Sequence, residues 1–167
     1  MATFAIGGAF GLVAGLVGVA QWALTQRDLA ERLAAFEAVQ RRYPGFFDAT
    51  NVDRGNFEFW LGTGALAAVV MLCLCGLAAF TASRRSRRLA DGMAAAVMAT
   101  VISGALYLAA TPVAVATSPE PAMTQEVLPC LAPVGAVFLT AALSLAAVGA
   151  RLGARAGRSL ARGHSAL

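Results

Sequence analysis

Polar and apolar positions along this chain separate into four long uncharged runs and the stretches between and after them, which hold every charged residue. Residues 3–24, 59–82, 93–117 and 127–150 contain no Asp, Glu, Lys, Arg or His. At about 1.5 Å per residue, each run is long enough as a helix to cross a hydrocarbon layer of about 30 Å. The pattern predicts an all-α integral membrane protein, a single membrane domain with four transmembrane helices.

Gly18-Val19-Ala20 carries the small residues of a signal-peptidase site, so a cleaved leader is the rival reading of the first run. No basic residue precedes the run, and it is expected to remain as a span.

From Gln26 to Tyr43 the pattern changes: Leu29, Leu33 and Phe36 recur at helical spacing, and charges fill the positions between them. That periodicity predicts an amphipathic helix over 26–43 in the first outer loop. It either continues the first span or bends onto the membrane surface. Tyr43-Pro44-Gly45 stops it, and residues 44–57 read as a loop at headgroup level, with Phe57, Phe59 and Trp60 as an aromatic anchor for the second span. Pro112 is expected to bend the third span near its end. Residues 118–126, with two prolines and two acids, read as the second outer loop. Pro129 and Pro133 fall near the first turns of the fourth span, where a missing backbone donor costs least.

Small residues mark where helices approach one another. Gly7, Gly11 and Gly15 repeat every four residues, and Gly18 continues their stripe. Ala95, Ala99 and Ser103 form a second small face on the third run. Such faces admit backbone contact between helices, which drives association where lipid removes the hydrophobic force. The sequence leaves open whether the helix that fills each face belongs to this chain.

Charge sets the orientation. Of 167 residues, 59% are hydrophobic and 13% charged, and the net charge of +4 comes from arginine alone. Arg84, Arg85, Arg87 and Arg88 stand between the second and third runs, and Arg151, Arg155, Arg158 and Arg162 follow the fourth in a basic tail, 151–167. Residues 26–58 balance five arginines against six acids. The positive-inside rule then puts both termini and the arginine hairpin in the cytoplasm. Anionic lipid headgroups, not nucleic acid, are the expected partners of these two clusters.

Chemistry is sparse. The spans lack the ionisable groups that pumps and transporters place inside the bilayer. No metalloprotease, serine-hydrolase or phosphate-loop motif occurs, and Cys73, Cys75 and Cys130 form no metal or redox pair. Cys73 and Cys75 point to nearly opposite sides of a helix. The cluster that comes closest to a catalytic set is Asp53, Arg54, Asn56 and Glu58, at the outer mouth of the second span. The expectation is a non-catalytic accessory subunit of a membrane complex, without cofactor or metal, associating with other subunits or with itself. The alternatives are a binding or signalling module recruiting a partner through Leu29, Leu33 and Phe36, a small transporter or pore, or a small membrane enzyme.

Overall fold

Helices form over all four uncharged runs, and each outreaches its apolar stretch. The computed structural model describes residues 1–43, 50–117 and 121–164, with side-chain surroundings for 1–43, 55–110, 112, 113, 116 and 135–159. The order is α1 (Ala2–Arg42), α2 (Thr50–Ser86), α3 (Leu89–Thr117) and α4 (Pro121–His164). All four are long and apolar enough to cross a membrane.

Two boundaries differ from the sequence expectation, and one of the two alternatives for 26–43 is the one observed. The stretch 26–43 is no separate element: up to Arg42 it is the second half of α1, since no Gly or Pro follows Gly18 before the helix ends. Residues 50–57, expected in a loop, are the first turns of α2, where Asn56 bonds to α1 and tertiary contact overrides turn composition. Residues 121–126, also expected in a loop, open α4, with Pro121 at the first position, where its missing N–H costs nothing. Pro112 lies inside α3. The expected loop residues 44–49 and 118–120 lie outside the described residues.

Size sorts the side chains. The buried apolar core is almost entirely alanine: Ala78, Ala79, Ala95, Ala96, Ala99, Ala146 and Ala150 are closed off completely or nearly so. Among the described residues the largest fully buried side chains are those of Cys75 and Ser83. Large apolar groups face outward instead, with Leu66 67% and Leu108 72% exposed. This is the reverse of a water-soluble bundle, whose leucines would fill the interior. Cys73 is exposed and Cys75 buried, on opposite sides of α2.

Alanine and glycine let the axes close in. A Cβ added at Gly7 would stand 2.6 Å from the Ala95 carbonyl oxygen, and one at Gly11 2.8 Å from that of Ala99. Both numbers rise together along the chain, so α1 and α3 run parallel. On the other side of the bundle, Gly149 lies against the Gly76 carbonyl, Gly153 against that of Phe80 and Gly157 against that of Arg84, which makes α2 and α4 parallel as well. Gly92 sits where α2, α3 and α4 meet: a Cβ there would lie 2.6 Å from Ala79 O and 2.8 Å from Ala150 Cβ. Helices α2 and α3 form the central pair, and α1 and α4 flank them without touching each other among the described residues.

The hairpin between α2 and α3 is very short. Arg87 adopts φ 60°, and its N–H donates to Ser83 O at 2.8 Å, closing α2 with a left-handed cap. For a residue with a Cβ that conformation costs about 1–2 kcal/mol. The Arg88 N–H donates to Ser86 Oγ at 3.2 Å, which secures the turn before α3 begins. Asp91 falls in the first turn of α3, where a negative charge complements the helix dipole.

Candidate functional site

Polar chemistry gathers at the two ends of the bundle. At the loop end, Gln21, Thr25, Asp28 and Arg32 follow one another along one side of α1 at helical spacing, and Asn56 and Thr63 face them from α2. Gln21 and Thr25 are only 9% and 4% exposed, so their polar atoms need partners within the protein. Gln21 Nε2 donates to Thr25 Oγ1 at 3.2 Å and to Thr63 Oγ1 at 3.4 Å. Thr25 Oγ1 returns its proton to Gln21 O at 3.0 Å, and Thr63 Oγ1 donates to Phe59 O at 2.8 Å.

One turn further out, the Asn56 amide bridges the two helices. Its Nδ2 donates to Thr25 O and to Asp28 Oδ2, each at 3.2 Å. Arg32 Nε donates to the same Asp28 oxygen at 2.6 Å. The Asp28 hydrogen bond raises the Arg32 pKa above its ordinary value, and the charge of Glu58 adds in the same direction. Arg32 lies across Gly55, where a Cβ would stand 2.5 Å from Nη1. Glycine inside a helix is unfavourable by about 1 kcal/mol relative to alanine, and here it makes room for the guanidinium. Phe57 and Trp60 lie beside this node with ring centroids 5.9 Å apart. Trp22 Nε1 and Gln26 Oε1 are buried one turn apart on α1 with no partner among the described residues.

Beyond the node, α1 continues for ten residues. From Thr25 to Arg42 it rises about 26 Å at 1.5 Å per residue. Of the three apolar residues predicted to bind a partner, Leu29 is 5% exposed, while Leu33 and Phe36 are half-buried. Arg27–Glu31 and Arg41–Glu37 are exposed ion pairs at 2.7 and 3.4 Å along the same helix, where solvent screening leaves them little weight.

At the opposite end, Arg84, Arg85 and Arg87 line an open cleft of about 380 Å³ with Thr81 and Gly157. Arg88, Arg151, Arg155 and Arg158 are exposed outside it, and the Arg162 side chain lies outside the described residues. The cleft thus joins three of the eight arginines predicted to meet headgroups.

The predicted packing residues are buried within the chain: Gly7 and Gly11 against Ala95 and Ala99, Gly15 against Leu106, and Gly18 against Tyr107 and Met71. Ser103 is buried on α3, where its hydroxyl donates to Thr100 O at 3.0 Å. These small faces are filled by the protein's own helices and are closed to a second protein.

Between the two ends, hydroxyls mostly bond to their own helix, as with Ser83 Oγ to Ala79 O at 2.8 Å and Thr100 Oγ1 to Ala96 O at 2.9 Å. Among the described residues no three His, Cys, Asp or Glu side chains come together as a metal site. Gln21 lies near the end of the first uncharged run and Thr25 just past it; their spacing of four, on a side-chain pair able to bond across one helical turn, is the trace that this cluster leaves in the sequence. No protein-family model, curated protein or solved structure matches this chain.

Proposed function

We propose that this protein is a non-catalytic, four-span integral membrane protein that serves as an accessory subunit and docks a partner on the outer half of α1. The membrane assignment is supported by alanine inside and leucine outside, an arrangement that is stable only in an apolar solvent. The docking assignment rests on one observation. Helix α1 runs unbroken to Arg42 and is clamped to α2 at its base by Asn56, so its distal turns are held in a fixed direction. A helix ordered before binding loses little entropy on capture, which is what a docking element requires.

The filled glycine faces move the accessory reading away from the spans and onto this stalk. Changing both Leu33→Ser and Phe36→Ser should abolish co-purification of partner proteins from a mild detergent extract while insertion and helix content stay unchanged. Partners retained by the double variant would rule out docking on this surface.

In this reading the arginine end faces the cytoplasm, because cations resist transfer across the bilayer. Single cysteines at Ser86 and Ala122, in a background without native cysteines, should react with an impermeant reagent from opposite sides of the membrane. Labelling at 86 from outside would reverse the topology, and labelling of both from one side would dismantle it.

A further inference from the structure

Arginines at the two ends of the molecule are treated differently. At the loop end, three of the four arginines on α1, Arg27, Arg32 and Arg41, each pair with a carboxylate one helical turn away, and Arg42 at its tip is exposed. At the other end, Arg84, Arg85, Arg87 and Arg88 pair with no carboxylate among the described residues, and Asp91 is the single acid that the sequence places near them. Three of these four converge on one cleft. We propose that this cleft is a binding site for a phosphate group, carried by the headgroup of an anionic membrane lipid.

Packing beneath the arginines gives the cleft its shape. Gly157 brings α4 onto the Arg84 carbonyl, and the Arg87 side chain lies over it, with Cγ 3.3 Å from where a Gly157 Cβ would stand. Any larger residue at 157 would push α4 from the Arg84 carbonyl and fill the floor of the cleft. Arg87 also holds a backbone conformation in which glycine or asparagine would be more comfortable, φ 60°. Arg87 lines the same opening as Arg84 and Arg85. Three arginines with no carboxylate partner among the described residues, lining one opening, fit the several acceptor oxygens of a phosphate. Their position just past the apolar stretch of α2 sets the cleft at the level of lipid headgroups. The lipid source rests on the membrane reading given above; the anion site does not.

Arg87→Gly supplies an unusually clean variant, because glycine tolerates φ 60° and removes the cation without straining the turn. The full chain, purified in a nonionic detergent, would be titrated by calorimetry with a soluble short-chain phosphatidylglycerol and, separately, with inorganic phosphate. Saturable binding of the lipid is expected. The pair R84Q/R87G should weaken it by about tenfold or more, the loss that follows from removing charge-assisted bonds. The pair R151Q/R155Q, with the same loss of charge outside the cleft, should weaken it by less than about threefold, as diffuse attraction alone predicts. Inorganic phosphate binding as tightly as the lipid, with the same sensitivity to R84Q/R87G, would keep the site and assign it to a free phosphate compound. Equal losses from both pairs, or no saturable binding of either probe, would overturn the proposal.

Discussion

Replacing Gly153 with leucine should lift α4 off α2 and destabilise the bundle by about 3 kcal/mol or more, at the upper end of overpacking costs. A Cβ at this position runs into the Phe80 carbonyl oxygen and Ser83 Oγ. Neither can move aside by changing rotamer. The carbonyl is fixed in the backbone of α2, and Ser83 is fully buried with its hydroxyl bonded to Ala79 O at 2.8 Å. Gly149 and Gly157 make the same kind of contact one turn to either side, so the three act as one rigid seam. A bulge in the middle therefore opens all of it. Gly104 is the control, since a Cβ there meets nothing within 4 Å and the position faces outward. Gly104→Leu should leave the melting temperature in detergent nearly unchanged while Gly153→Leu lowers it sharply. Equal melting of the two variants would show that the α2–α4 seam carries no stability.

The four long apolar helices were legible in the sequence because water-soluble chains seldom go so long without a charged residue as the runs 3–24, 59–82, 93–117 and 127–150 do, and runs of that length suit a hydrocarbon layer. The stripe of Gly7, Gly11, Gly15 and Gly18 was legible for a related reason: a repeat every four residues stays on one side of a helix. Which helix fills that stripe was not legible. Hydropathy separates residues that face lipid from those that do not only when interiors are more polar than exteriors, and here both are apolar. The pairing of Gly7 with Ala95 is decided by size complementarity between segments 88 residues apart, which no local pattern encodes. Gly92 escaped notice because it stands at the edge of the third run beside Asp91, although it continues the spacing of Ala95, Ala96 and Ala99. Gly149, Gly153 and Gly157 were visible as a face of their own, opposite in character to the arginines beside them. Their partner, the carbonyl row of Gly76, Phe80 and Arg84, leaves no trace in side-chain identity.

Turn composition misled for residues 50–57 in an instructive way. Asp, Asn and Gly are turn formers because their side chains or lack of one suit irregular backbone. Asn56 instead uses its amide to bridge α2 and α1, and Gly55 clears space for Arg32, so two turn-forming residues serve a helix–helix joint. The same joint decides whether α1 projects as a rigid arm.

Asn56→Ala should free the base of that arm without disturbing the spans. The substitution removes the donor shared by Thr25 O and Asp28 Oδ2, and hydrogen bonds to charged groups contribute about 1.5–3 kcal/mol each. Thr25 O remains within its own helix and Asp28 keeps Arg32 Nε at 2.6 Å, so the loss falls near about 1.5 kcal/mol, the low end of that range. A change of that size is about tenfold in a local opening equilibrium. Backbone amides of residues 26–32 and 55–58 should therefore exchange with deuterium about tenfold faster, while those of the Gly7–Gly15 segment keep their protection. Asn56→Asp should be worse than alanine, because it sets a second carboxylate against Asp28 where a donor stood. Leu33 and Phe36 are untouched in either variant, so weaker partner recovery from Asn56→Ala would show that docking depends on how firmly α1 is held as well as on its apolar residues. Unchanged exchange at 26–32 would mean that α1 is stiff by its own helical propensity and that the Asn56 bridge is incidental to it.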